Sequence, residues 1–408
     1  MPKFYTFGIL FLIIGSFFNA FAQTFTSSNL PIIVITTGGQ TIADNPKVNV
    51  NMGIIDNGLG NRNYYRNPAN NNQPDPFNNY NGTVGIEHRG SSSQFFPKKP
   101  YGFETRTETG DDLKVSLLGM PKESDWILNA SYTDKTLMRD VLTYHLSNQM
   151  GMYATRTKFV ELVVDGDYKG VYILMEKIKR DANRVNIASL KPADNSGDAL
   201  TGGYILKVDK NTGSADAYWK SPYPANNLME INIMLEYPKK DDITTEQFEY
   251  IKNHFTNFEH TLNGPNFKDP TNGYAKYIDV NTFVDYFLLT ELTYNIDAYR
   301  LSVFFYKDRD SRDSKIKMWP AWDYDHSYGN ANYCKGWETN HWAYDFVREF
   351  CPQDDKQTPT WWARLLQDRE FCLKVRERWQ QLRQNQWTNS NISSFVNQNV
   401  PCTRTYCS

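Results

Sequence analysis

The chain has 408 residues, with 44 Lys and Arg against 46 Asp and Glu for a net charge of −2. That balance gives no electrostatic footprint for nucleic acid or an anionic membrane surface, so neither is expected as a partner. Aromatic residues reach 15%, including 26 Tyr and 10 Trp, which excludes a disordered chain and fits a packed, β-rich one.

Lys3, an apolar run over residues 7–18 and then Ala20-Phe21-Ala22 match a secretory signal with a small-x-small cleavage site. Removal of residues 1–22 is expected to leave a mature N-terminus near Gln23 and no membrane span, because the apolar run is shorter than the roughly 20 residues a span needs. The protein is therefore expected to be secreted, periplasmic or on the cell surface. All five cysteines (Cys334, Cys351, Cys372, Cys402 and Cys407) lie in the last quarter of the chain. Export allows disulfides there, the odd count leaves at least one thiol over, and no Cys/His spacing resembles a zinc site.

Residues 30–36 and 48–55 read as strands, and residues 56–81 as an Asn/Pro/Gly-rich loop with few apolar anchors, expected to be a mobile surface insertion. A strand over 83–88 delivers the chain into Arg89-Gly90-Ser91-Ser92-Ser93-Gln94, and Lys98-Lys99 precede another strand over 101–106. A Gly followed by Ser91, Ser92 and Ser93 offers close backbone approach and hydroxyl donors that suit a phosphate, and equally a polar turn with two solvated lysines. Asp134 is placed to cap a helix whose apolar stripe is Leu137, Leu142, Leu146 and Met150. Residues 159–164 and 172–175 flank an Asp165-Gly166-Asp167 turn as a hairpin, with Glu176 directly after it. Residues 203–208 form one more strand, 241–262 an amphipathic helix, and 281–295 a buried helix that runs straight into Asp297. Residues 360–387 are helical with one apolar side, and the last residues look like a loop.

Chemistry concentrates in residues 290–329, where Asp297 and the pair Asp323 and Asp325 sit at the two ends of a hairpin expected over 303–307 and 315–322. On an extended backbone the period of two in Trp322-Asp323-Tyr324-Asp325 puts both carboxylates on one face and the rings on the other. Such a pair suits a hard cation such as Mg²⁺, which takes one or two carboxylates plus waters and substrate phosphates, and Asp297 is then free to orient a nucleophile. Phosphoryl transfer is one chemistry for this set. A glycosyltransferase's nucleotide-sugar site also uses Asp-x-Asp, although it gives no account of the Ser-rich loop or Lys98-Lys99, and an acidic hairpin is also an ordinary solvated turn.

Six segments occurring in order over about 240 residues carry a resemblance: RGSSSQFFPKKPY (89–101), DKTLMRDVLTYHLS (134–147), VVDGDYKGVYILMEKI (163–178), GGYILKVD (202–209), NIDAYRLSVFFYKD (295–308) and PAWDYDHSYGN (320–330). Together they resemble the spore-coat CotH kinase family of secreted or surface atypical kinases. The resemblance implies an α+β, bilobal protein-kinase-like fold, with residues 23–178 as a β-rich N-terminal lobe, 179–395 as a mixed, more helical C-terminal lobe and 396–408 as a tail. It also implies ATP and Mg²⁺ as cofactors and a hydroxyl of a secreted or cell-surface protein as phosphoacceptor. Carried over by residue, Ser91, Ser92 and Ser93 would cover the phosphates and Lys98 or Lys99 would hold them. The strand ending at Glu176 would be the hinge edge beside adenine, or simply a buried hairpin. Asp297 would be the catalytic-loop acid, and Asp323 the metal-binding acid.

One departure stands out. Five residues after its catalytic Asp a protein kinase has an Asn that helps bind the second magnesium, and here that position is Ser302. A hydroxyl is a poorer ligand than an amide oxygen, so either Asp325 supplies the missing oxygen or metal binding is weakened. A catalytically silent surface or matrix-binding protein on the same fold is the competing function.

Overall fold

A computed structural model describes residues 25–211, 216–225 and 229–404; the expected signal segment, residues 1–22, lies outside these, as does Cys407. In chain order the first part comprises β1 (Ser27–Ser28), β2 (Ile32–Thr36), β3 (Val48–Ile55), β4 (Asn63–Tyr64), β5 (Tyr80–His88), β6 (Tyr101–Arg106), β7 (Asp125–Asn129), α1 (Arg139–Asn148), β8 (Thr157–Val164) and β9 (Asp167–Glu176). Seven of these strands close into a barrel in the order β2-β3-β5-β6-β7-β9-β8. Closure comes from β8 running parallel to β2, with Val34 opposite Val163, so neither strand keeps a free edge. The hairpin joining β8 to β9 turns at Asp165 (φ +50°) and Gly166 (φ +82°), the left-handed pair that matches strand twist.

The period of two sorts β7 and β9 onto two cores. Trp126, Leu128, Tyr172 and Leu174 fill the barrel with Ile33, Met52, Val84 and Leu162. Ile127, Ile173 and Met175, on the opposite face, join the core that α1 shares with the second half of the chain. This one barrel wall is therefore apolar on both sides, and it fixes the barrel against everything that follows.

The second part comprises α2 (Gly197–Leu200), β10 (Tyr204–Val208), β11 (Tyr218–Lys220), β12 (Asn232–Tyr237), α3 (Thr245–Asn263), α4 (Val280–Thr293), β13 (Val303–Lys307), β14 (Ile316–Met318), α5 (Ala343–Phe350), α6 (Trp361–Leu365), α7 (Arg369–Gln384) and α8 (Asn389–Arg404). An antiparallel five-stranded sheet, β11-β12-β10-β13-β14, packs on α3, α4 and α6 through interlocked rings: Phe255 meets Phe305 and Trp361, each at 5.5 Å between centroids. A Thr244/Gln247 capping box starts α3. α4 is buried along almost its whole length.

The α+β class is as read, but the N-terminal β-rich region is a closed barrel where the resemblance implied one lobe of a bilobal kinase-like fold. Other differences are local. The expected strand over 315–322 ends at Met318, since Pro320 has no N–H to continue a ladder. Residues 56–81 are tied down: β4 pairs with β1, and the Asp75 carboxylate accepts from Asn57 Nδ2, Asn67 Nδ2 and the Tyr64 N–H. α1 starts at Arg139 after an N-cap at Met138, with Asp134 accepting from the Arg139 N–H from outside the helix. The C-terminal segment is helix α8 to Arg404, not a loop.

A carboxyl in the second core supplies a stability test. Glu259 on α3 is fully buried and accepts from Ser221 Oγ (2.5 Å) and Trp361 Nε1 (3.0 Å), and burial pushes it up to about 7. Because the folded value lies above the unfolded one, stability falls as pH rises from about 4.5 through 7. At about 1.4 kcal/mol per unit the loss is on the order of 3 kcal/mol. Glu259→Gln keeps the acceptor oxygen without the charge, so it should raise Tm at pH 8 and change it little at pH 5; a pH-independent difference would contradict this assignment.

Candidate active site

Between the barrel wall and the sheet lies a cavity of about 390 Å³. The chain reaches it from α4, whose end at Thr293 is followed by Tyr294 in the left-handed region (φ +50°). Asn295 then joins the two acidic stations: its Nδ2 donates to the Asp323 carbonyl (3.1 Å) and its Oδ1 accepts from the Asp297 N–H (3.2 Å). Ser302 (φ +53°) and Asp323 (φ +63°) also lie in the left-handed region, an arrangement non-glycine residues adopt at a cost and that clusters at functional sites. Trp322 to Asp325 is thus not the extended segment that the period of two required. Asp323 and Asp325 still line the same cavity, but Trp322 lines it beside them, while Tyr324 is buried with its hydroxyl against Thr290 Oγ1.

Asp297, Ser302, Asp323 and Asp325 all line this cavity, and two acids that sequence reasoning passed over join them: Asp140 on α1 and Asp209 at the end of β10. Ser302 Oγ lies between Asp323 Oδ2 (3.3 Å) and Asp209 Oδ2 (3.5 Å). Asp297 Oδ1 accepts from Arg300 Nη2 (3.1 Å) and the Tyr333 hydroxyl (3.0 Å), and Asp325 Oδ2 from Thr133 Oγ1 (2.9 Å). Asp140 Oδ1 takes the Tyr324 N–H (2.7 Å), and Tyr144 OH accepts from the Asp323 N–H (3.1 Å). The apolar stripe of α1 does not point to Asp140; the visible signal is an acid in the first turn of a helix whose opposite side is apolar.

So many carboxyls in one place oppose each other's ionisation. Burial, then Asp325, Asp297 and Asp209, push Asp323 up to about 7. Burial and the charges of Asp325 and Asp323 hold Asp140 well above the usual carboxylate range. Burial alone would lower His326, but Asp325 and Asp297 outweigh it and raise it. A divalent cation would relieve this mutual repulsion. Among the described residues no three His, Cys, Asp or Glu side chains form a ready-made cage. Two carboxylates and the Ser302 hydroxyl are nonetheless hard oxygen donors of the kind Mg²⁺ takes when phosphate oxygens and water complete its shell.

Ser91, Ser92 and Ser93 form the lip of the same cavity, in a short 3₁₀ turn (Ser92–Phe95). Gly90 is required there, with φ +97° and room for a Cβ only 1.9 Å from Ser93 Oγ. Gln94 Nε2 holds the lip by donating to the Gly90 carbonyl and to Asp44 Oδ1, each at 2.7 Å.

Three expected residues are elsewhere. Lys98 and Lys99 line a second cavity, separate from the acidic one: Lys98 Nζ donates to the Val171 carbonyl and Lys99 Nζ to the Gln94 carbonyl (2.6 Å). Glu176 is fully buried, its oxygens taken by Arg156 and Tyr153, and it does not line the acidic cavity. Its neighbour Met175 does, with Ile127, as an apolar patch. The cations present at the acids are Arg89, stacked over Trp322 at 5.7 Å, Lys207, paired with Glu236 (2.9 Å) and Asp216 (3.0 Å), and Lys210.

The cleft thus combines five carboxylates (Asp140, Asp209, Asp297, Asp323 and Asp325), a Gly-Ser lip and the apolar side chains of Ile127 and Met175. The family described as CotH kinase protein matches residues 86–407, and the chain belongs to that family. It is also similar to the Inner spore coat protein H of Bacillus subtilis (strain 168), 23% identical over 249 residues. That match covers 60% of this chain and 59% of the relative's length. No helix of the described residues is long and apolar enough to cross a membrane.

A disulfide braces the acid at the cleft's edge. Cys334–Cys351 ties the segment that carries Tyr333 to the one in which Asp354 and the Lys356 carbonyl hold Arg300, and both Tyr333 and Arg300 bond Asp297; Cys372 is a free thiol. Closing a loop of this length is worth about 3 kcal/mol. The paired Cys334→Ser and Cys351→Ser variant should lose roughly that much in urea unfolding, and unchanged stability would contradict the bridge.

Proposed function

We propose that the protein is an exported atypical kinase that transfers the γ-phosphoryl group of ATP, with Mg²⁺, to a hydroxyl of a secreted or cell-surface protein. The observation that carries this reading is the convergence of Asp297, Asp323 and Asp325 with the Gly90–Ser93 lip in one cleft. In this reading the barrel and the sheet-and-helix body serve as the two lobes of a kinase-like enzyme, in the bilobal sense that the resemblance implies. The coat protein named among its relatives supports an exported location.

Each residue has a part. Asp323 and Asp325, with Ser302, would hold Mg²⁺, which when bound neutralises charge on the transferring phosphoryl group. Ser91 to Ser93 and the Gly90 backbone donate to phosphate oxygens. Arg89 and Lys207, not Lys98 or Lys99, supply the positive charge beside them. Ile127 and Met175 offer the base an apolar surface. Asp297 orients the acceptor hydroxyl and takes its proton, while Arg300 and Tyr333 fix the carboxylate's direction.

A silent nucleotide-binding or matrix-binding protein is the second reading. It is favoured by Ser302 in place of a metal-binding amide and by the two donors already occupying Asp297 Oδ1. The variants separate the two. Asp323→Ala should abolish magnesium-dependent ATP binding measured by calorimetry. Asp297→Asn should leave that binding nearly intact and lower phosphate transfer by ~10²-fold or more. Ser302→Asn should tighten metal-dependent binding. Absence of ATP binding by the wild-type protein at millimolar magnesium, unrescued by Ser302→Asn, would favour the silent protein.

A further inference from the structure

The second cavity, about 560 Å³, has the opposite charge to the first. It is lined by Lys98, Lys99, Lys135 and Lys169, by four tyrosines (Tyr101, Tyr132, Tyr168 and Tyr172) and by a single acid, Asp134. Asp134 is spent on Arg139 and Thr136. Lys169 pairs with Asp167 (2.5 Å), but the ammonium groups of Lys98, Lys99 and Lys135 donate to main-chain carbonyls, and none has a carboxylate within ion-pair distance among the described residues. Two of them lie on aromatic faces, Lys98 over Tyr172 (4.4 Å) and Lys135 over Tyr132 (4.3 Å), so the cations are held in place rather than trailing in solvent. Burial is the main cause that lowers Lys98 to about 8, with Glu161 pulling it up and Lys135 pushing it down.

The two cavities back onto the same two segments. Phe96, on the acidic side, stacks on Tyr132, on the basic side, with centroids 5.0 Å apart; Thr133 faces the acids and Asp134 the lysines. A chain leaving the acidic cleft over this divider would reach the lysines within a few residues. Tyrosine rings between the lysines give apolar surface to the backbone and Cβ atoms of a peptide, which a site for a bare inorganic anion would not need.

We propose that the basic cavity is a docking site for an acidic peptide segment, belonging to the protein whose hydroxyl is presented to the acidic cleft. Only that last clause rests on the phosphotransfer reading; recognition of the acidic segment does not. It is tested without nucleotide or magnesium, by fluorescence anisotropy of a labelled hexaglutamate peptide with its hexaglutamine counterpart as control. The glutamate peptide should bind the wild-type protein, more weakly as salt rises. Combined Lys99→Gln, Lys135→Gln and Lys169→Gln should weaken it at least 10-fold, while the same charge removed at the exposed Lys268, Lys276 and Lys374 should change it little. No binding, binding that survives the three cavity substitutions, equal binding of the glutamine peptide, or full displacement by millimolar inorganic phosphate would overturn the proposal. With a serine added to the acidic peptide and ATP and Mg²⁺ supplied, binding without phosphorylation would sink the kinase reading and leave the docking site. Equal phosphorylation of acidic and neutral acceptors would overturn the link between the basic cavity and the acidic cleft.

Discussion

Acidic side chains concentrated in one cleft are the constraint on which the rest of this structure depends. Asp323, open to the cleft, sits among the half-buried Asp209, Asp297 and Asp325, with the buried Asp140 behind the chain, and the protein around them strengthens their repulsion over what it would be in open water. The protein holds them there with specific donors: Asn295 bridging the two stations, Thr133 on Asp325, and the Tyr324 N–H on Asp140. It also accepts left-handed backbone at Tyr294, Ser302 and Asp323. Nothing about folding rewards that set of costs by itself, so the reward is to be sought in what binds between the acids.

Rigid supports surround the cleft. On one side is a closed barrel whose β7–β9 wall is apolar on both faces. On the other is α4, buried along most of its length, which delivers Asn295 and Asp297 directly. Glu291 on α4 reinforces this exit by accepting from the Tyr299 hydroxyl (2.8 Å) and from the Ala343 and Tyr344 N–H groups that open α5. Sites positioned by such elements keep their geometry better than sites built on free loops.

Much of this was legible in the sequence, for local reasons. Strands with β-branched alternation, the Asp-Gly turn and the apolar helix leading to Asp297 are all short-range signals; the strands over 48–55, 101–106 and 303–307 fall where expected, while others shift by up to five residues at one end. Barrel closure was not legible, because pairing β2 with β8 joins residues more than 120 apart and leaves no local mark. The lysines misled for a related reason: they lie in the irregular segment between the Ser92–Phe95 turn and β6, where strand alternation does not set side-chain direction. Lys98 and Lys99 accordingly belong to the basic cavity, and Lys207, hidden in an ordinary strand pattern, stands among the acids. Asp-x-Asp brought its two carboxylates together as expected, but through a left-handed Asp323 rather than an extended pleat.

The account turns on whether the acidic cleft is built to share a divalent cation with a nucleotide. Crystals of the protein grown with Mn²⁺ and a non-hydrolysable ATP analogue, measured at the manganese absorption edge, put that question most directly. The account predicts an anomalous peak in contact with Asp323, phosphates under the Ser91–Ser93 lip and the base against Ile127 and Met175. Nucleotide bound elsewhere, or a cleft that takes neither metal nor nucleotide at millimolar concentrations, would contradict it.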